Sequence, residues 1–201
     1  MKNQKYLEDI REIKELMNRS AKFLSLSGLS GVFAGFYALL GVIVAQWALG
    51  QYQTSNWSKE TIIYFLIFLA LIILILSVGT ALWFSYRKAQ QRNYKIWDVA
   101  ARNMVADALI PLLTGGLWSL ILIMRGQYSF LVPSMLVFYG LSLTTASRYT
   151  YGMVYYLGLA EILIGLLALI WPAYNLWWWA LGFGIFHVLY GILMYIRFDR
   201  H

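Results

Sequence analysis

The stretch Gly152-Met-Val-Tyr-Tyr-Leu-Gly158-Leu-Ala-Glu161-Ile-Leu-Ile-Gly165-Leu-Leu-Ala-Leu-Ile-Trp171 decides the fold. It passes through the turn Pro172-Ala-Tyr-Asn175 into a second apolar run that ends near Ile196. Two runs of about 20 apolar residues joined by a short turn form a membrane hairpin. Each run carries one ionisable side chain, Glu161 on the first and His187 on the second, at equal sequence distances from the turn. Each is flanked alike: Gly158-x2-Glu161-x3-Gly165 and Gly184-x2-His187-x3-Gly191. At helical spacing, positions i−3 and i+4 share the face of residue i. Both polar groups therefore sit on glycine stripes, the surfaces by which membrane helices approach one another.

Composition extends this reading to the whole chain. Of its 201 residues 61% are hydrophobic, against roughly 45–50% in soluble domains. The excess falls in six runs, about 23–48, 61–84, 103–124, 129–146, 152–171 and 176–196. The expected fold is an all-α membrane protein, with a cytoplasmic amphipathic helix at 1–22 and a six-helix transmembrane domain at 23–201. Cysteine is absent, which excludes disulfides, thiolate catalysis and Cys-ligated metals. A net charge of +7 would suggest nucleic acid in a soluble chain; here membrane orientation explains it, and no nucleic-acid partner is expected.

The first 22 residues include Glu8, Asp9, Glu12 and Glu15, unlike the short basic start of a cleaved signal peptide. Tyr6, Ile10, Ile13 and Met17 follow a 4-3-4 spacing, and Arg11–Glu15 and Glu15–Arg19 are opposite-charge pairs four apart. This segment reads as a helix on the membrane surface or against the bundle, or as a short coiled coil that dimerises the chain. The first span carries Gly28, Gly31 and Gly35, small residues spaced for close packing within the chain or between subunits. The second is apolar all round and suits lipid exposure. Residues 86–102 are basic and either continue the second helix or lead the third. In the third span Asn103, Asp107, Pro111 and Thr114 share a face, and Pro111 frees a backbone carbonyl one turn back, near Asp107. The fourth span is entered through Pro133. Trp171, Trp177, Trp178 and Trp179 crowd the last turn as an interfacial aromatic belt.

With six spans the two termini share a side. That side holds fourteen of the 16 lysines and arginines, and the other side holds two. The asymmetry places both termini in the cytoplasm, in a bacterium at the inner membrane. It also gives a basic cytoplasmic face that attracts anionic lipid head groups. Glu161 and His187 then lie about nine residues deep, roughly 14 Å and near the bilayer midplane, whereas Asp107 lies about 6 Å in.

Three odd-numbered spans share a pattern: Gly35-Phe-Tyr-Ala-Leu-Leu, Gly116-Leu-Trp-Ser-Leu-Ile and Gly165-Leu-Leu-Ala-Leu-Ile. Hairpin duplication and coincidence in apolar low-complexity sequence both account for it. The stretch Gly158 to Pro172, followed by a second glycine-rich span, resembles a hairpin of the HdeD-like family of small six-span bacterial membrane proteins. The run Leu16-Met-Asn-Arg-Ser-Ala-Lys-Phe-Leu-Ser-Leu-Ser-Gly28 is similar to the start of uncharacterised bacterial membrane proteins of this size. The charged N-terminal arm departs from the HdeD-like pattern. These resemblances imply six spans and a context of envelope stress or a neighbouring regulator, and no mechanism.

A carboxylate at the hydrocarbon midplane costs several kcal/mol unless it is paired, hydrated or protonated. Glu161 and His187, with Asp107 on their cytoplasmic side, are thus the candidate ligand or proton site. The competing reading is a structural interhelical hydrogen bond, and for Asp107 an interfacial pairing with Arg102 or Lys95. A metal at Glu161, His187 and Asp107 needs all three at one depth, which Asp107 does not meet. Haem ligation lacks a second intramembrane histidine, so neither a metal nor a cofactor is expected. No nucleophile, P-loop, HExxH or dinucleotide fingerprint is present. Three readings follow: a small transport or proton-coupled protein, a sensing or interaction subunit that binds a lipid, a second copy or a partner membrane protein, and, last, an enzyme.

Overall fold

The structure is a computed structural model that describes residues 23, 25–54, 57–92 and 97–200. The amphipathic segment expected at 1–22, and Lys95, lie outside the described residues. The described residues are all-α, with six helices among them each long and apolar enough to cross a membrane. They are α1 (Gly28–Gln53), α2 (Lys59–Gln91), α3 (Val99–Met124), α4 (Leu131–Ala146), α5 (Met153–Ile170) and the compound span α6 (Pro172–Asp199). Single 3-10 turns, Tyr128–Phe130 and Ser147–Tyr149, flank α4.

The boundaries differ from the hydropathy reading for local reasons. Helix α1 starts at Gly28 rather than at 23, with Ser27 as its N-cap residue in extended backbone. The preceding segment is instead tied across the molecule: Phe23 N–H donates to the Tyr149 carbonyl at 2.6 Å, and Thr150 Oγ1 donates to the Phe23 carbonyl at 2.9 Å. Helix α2 continues past Phe84 through Arg87, Lys88, Ala89, Gln90 and Gln91, residues that favour helix. Helix α3 begins at Val99 because the Asp98 carboxylate accepts the Ala101 N–H at 2.7 Å, an N-cap bond. Gly126, at φ +70°, ends α3 in the left-handed conformation common after helices.

Packing runs α2–α1–α6, then α4 with α5, then α3. Helix α2 buries only Ile62 until its last turns, where Ser85, Lys88 and Ala89 go under cover. Glycines bring α1 against α6. A Cβ on Gly31 would stand 3.1 Å from the Gly191 Cα, and one on Gly35 would stand 2.6 Å from the Gly184 carbonyl oxygen. Gly28 faces Gly191 and Tyr195 in the same seam. Glycines likewise join α4 to α5: Gly140 meets the Gly158 carbonyl, and Gly165 meets Leu136 and Val137. The repeated sequence pattern does not mark a repeated contact. Gly35 packs on α6 and Gly165 on α4, whereas Gly116 has no neighbour within 4 Å of its would-be Cβ.

Between the two seams Leu136, Ile164 and Ala168 form a buried cluster, covered by Val132, Trp178, Leu181, Phe183 and Phe186. It fixes α6 on the α4–α5 pair. The carbonyl that Pro111 leaves without its helical donor is that of Asp107. Thr145 Oγ1 of α4 donates to it at 3.5 Å, and Ser142 Oγ donates to the next carbonyl, Ala108, at 2.9 Å. The proline defect is thereby turned into an α3–α4 contact.

Candidate functional site

Glu161 and His187 come together in the interior. Their glycine stripes do not face each other. Gly158 and Gly165 press on α4, and Gly184 and Gly191 press on α1, while the two polar side chains project into the space between. Glu161 is fully buried and His187 is 6% exposed. The His187 Nδ1 lies 3.4 Å from Glu161 Oε1.

The imidazole is held at both nitrogens. Nδ1 lies 3.0 Å from the carbonyl oxygen of Gly182. A carbonyl only accepts, so Nδ1 carries a proton and donates it there. Nε2 lies 2.8 Å from the Tyr139 hydroxyl. In the neutral ring Nε2 accepts from that hydroxyl; in the charged ring it donates to it. Tyr139 and Phe183 also stack obliquely near the ring, with centroids 5.4 Å and 6.1 Å from it.

The local backbone makes the Gly182 contact. Residues Ala180–Phe186 form a widened π-type turn within α6, a distortion frequent at functional positions. The run Ala180-Leu-Gly182-Phe-Gly184-Ile-Phe contains two glycines, which favour regular helix least after proline. Gly182 also makes room for the acid, since a Cβ there would stand 2.6 Å from Glu161 Oε2.

Glu161 is the unbalanced member. Among the described residues neither of its carboxyl oxygens has a hydrogen-bond partner. The nearest donor, His187 Nδ1–H, points at Gly182. The pair can hold one proton in two ways, on the Glu161 carboxyl or, as a second ring proton, on His187 Nε2 beside Tyr139. The carboxyl beside a neutral imidazole and the carboxylate beside an imidazolium are both net neutral. The arrangement suits transfer or capture of a single proton or small cation. An apolar groove of about 230 Å³ between α5 and α6, lined by Leu157, Ala160, Phe186 and Tyr190 among others, has neither Glu161 nor His187 in its wall.

Asp107 stands elsewhere. Its Oδ2 accepts from the Tyr149 hydroxyl at 2.7 Å, and its helix α3 packs on α4 and the flanking turns. Neither the interfacial partners expected for it nor the Glu161 site includes this tyrosine.

Tyr139 was not among the residues singled out in the sequence. A tyrosine in an apolar span reads as bulk, although a buried hydroxyl ordinarily requires a partner. A larger omission lies at the end of the molecule where α1 begins and α6 finishes. Lys88 Nζ and Asp199 Oδ1 form a 2.7 Å ion pair, each side chain only 8% exposed. Lys88 Nζ also donates to the Leu26 carbonyl at 2.7 Å and to the Tyr151 hydroxyl at 3.3 Å. Asp199 Oδ2 accepts from the Ser27 hydroxyl at 3.0 Å and from the Gly28 N–H at 2.7 Å. The carboxylate of the last helix thus caps the first helix.

No protein family, curated protein or solved structure matches the chain. The HdeD-like resemblance accordingly gains no support. The chain is classed by its six apolar spans as an integral membrane protein.

Proposed function

We propose that this protein couples protons, or a small proton-linked solute, to movement across the bacterial cytoplasmic membrane, with Glu161 and His187 as the exchanging pair and Tyr139 as the group that holds the imidazole. The observation that carries this reading is the Glu161 carboxyl, wholly buried with both oxygens lacking a hydrogen bond among the described residues. A structural carboxylate in hydrocarbon is ordinarily saturated with donors, and one left open is a functional candidate by default. Transporters commonly keep such groups at the centre of the bilayer and reach them by rocking one helix group against another. The glycine seams allow such motion, since they meet with few interlocking side chains. The lysine and arginine excess supports termini in the cytoplasm.

The test is proton uptake into proteoliposomes under an imposed pH gradient, read with an internal pH dye. Wild-type protein is expected to acidify or alkalise the lumen well above protein-free vesicles, and Glu161→Gln is expected to return the rate to that background while leaving the melting temperature in place. Equal rates for wild type, Glu161→Gln and empty vesicles would sink the reading.

One observation favours a second reading, a sensing or interaction subunit. Phe23, beside the N-terminal arm, is bonded to the α4–α5 connection through Tyr149 and Thr150, and Ser27 and Gly28 are bonded to α6 through Asp199. A partner or second copy that engages the arm would pull on the helix that carries His187. Deleting residues 1–20 and measuring co-purification of membrane partners separates the two: loss of a partner with silent flux assays favours the subunit.

A further inference from the structure

A second polar site lies outside the Glu161 centre and does not depend on it. Where α4 passes through its closing turn into α5, a cleft of about 320 Å³ opens beside the Gly140–Gly158 contact. Its wall changes character along its length. Arg148, Thr144, Thr145 and Ser147 line one end; Tyr155, Leu159 and Ile162 continue it along α5.

 Tyr155, Leu159 and Ile162 follow a 4-3 spacing and so share one helix face. The three small hydroxyls donate to backbone carbonyls: Thr144 to Leu141 at 2.8 Å, Thr145 to Ser142 at 2.8 Å with its longer reach to Asp107, and Ser147 to Thr144 at 2.7 Å. They leave lone pairs that hold water but no protons for an anion. The donors that remain are the exposed Arg148 guanidinium and the half-exposed Tyr155 hydroxyl, neither of which has a hydrogen-bond partner among the described residues.

We propose that this cleft binds one anionic phospholipid, its phosphodiester on Arg148 and the Tyr155 hydroxyl and an acyl chain along Leu159 and Ile162. A planar guanidinium matches two phosphate oxygens at once. The apolar stripe that leads away from it would be superfluous to a free anion. The size lies at the low end of small-ligand sites, enough for a head group and the start of a chain. The cleft also lies at the end of the bundle that carries, among the described residues, Arg87, Lys88, Arg92, Arg197 and Arg200, where an anionic leaflet surface would meet it.

The test is native mass spectrometry of the full chain, released from mixed micelles that contain phosphatidylglycerol or phosphatidylcholine. Wild-type protein should retain phosphatidylglycerol in preference. Arg148→Gln should lower that preference roughly five-fold, the weight of one basic side chain at an anionic surface. Arg148→Lys, which keeps the charge but not the paired bonds, should fall between wild type and Arg148→Gln, and Arg125→Gln, at the opposite end of the bundle, should leave it unchanged. Leu159→Trp, which fills the cleft from its apolar side, should lower retention of phosphatidylglycerol although Arg148 is intact. All variants are first checked for an unchanged elution profile. Equal retention of the two lipids by wild type, or an Arg148→Gln protein with undiminished preference, overturns the proposal. Displacement of phosphatidylglycerol by excess inorganic phosphate would assign the site to a soluble anion and overturn the lipid assignment.

Discussion

Two buried acid–base pairs in this protein are built in opposite ways. At the end of the bundle Lys88 has three donors and meets three acceptors, Asp199, the Leu26 carbonyl and Tyr151. Asp199 in turn accepts from Lys88, Ser27 and the Gly28 backbone. In the interior Glu161 has one basic neighbour, at 3.4 Å, whose proton is committed elsewhere. The first pair is saturated and suits fastening; the second is left open and suits exchange. The difference teaches that burial alone does not mark a functional charge. The distinguishing feature is whether the charge's remaining bonding capacity is filled.

Substitutions can break or sharpen that contrast. The largest effect is expected for Asp199→Ala, which strands the Lys88 ammonium and uncaps α1; loss of one partner of a buried pair costs about 3–5 kcal/mol, read as a fall in the midpoint of thermal unfolding in detergent. Next comes Gly35→Leu. Its side chain would enter the space of the Gly184 carbonyl and Val188, at a cost of about 1–3 kcal/mol or more, whereas Gly116→Leu, where a Cβ meets nothing within 4 Å, should change stability by less than about 0.5 kcal/mol. Tyr139→Phe removes the partner of His187 Nε2 and should cost about 1–3 kcal/mol, the penalty of an unsatisfied buried polar atom. Among the polar positions the smallest structural effect is expected for Glu161→Gln, about 1 kcal/mol or less in either direction, because the carboxyl has no hydrogen bond to lose. If Glu161→Gln instead destabilises as much as Asp199→Ala, the two pairs are alike and the contrast fails.

The six spans were legible because about 20 consecutive apolar residues have few alternatives. The glycine stripes announced close contacts, but not with whom: Gly158 and Gly184 look equivalent in sequence, yet one meets α4 and the other α1. The freed carbonyl at Asp107 was readable from Pro111 alone, since the missing donor is a local matter. Its replacement, Thr145, lies 38 residues away. Lys88 and Asp199 were missed for a related reason. Charges near span ends read as solvated, and only the continuation of α2 through Lys88 carries the ammonium to residues 62 and 111 positions distant. Hydropathy also cannot separate the irregular Phe23 and Ser25–Ser27 from helix, because these residues are apolar or small and their bonds to Tyr149, Thr150 and Asp199 are long-range.

The cap on α1 has a consequence for biogenesis. Gly28 and the Asp199 carboxylate that receives its N–H are 171 residues apart in the chain. At the usual pace of synthesis, roughly 5–20 residues per second, the first helix enters the membrane on the order of ten seconds or more before its cap exists. Until the sixth helix has been made, Lys88 lacks its counter-ion too. Closure of the bundle at this end therefore belongs to the last stage of insertion, and a ribosome stalled before residue 199 would leave the first helix unfastened.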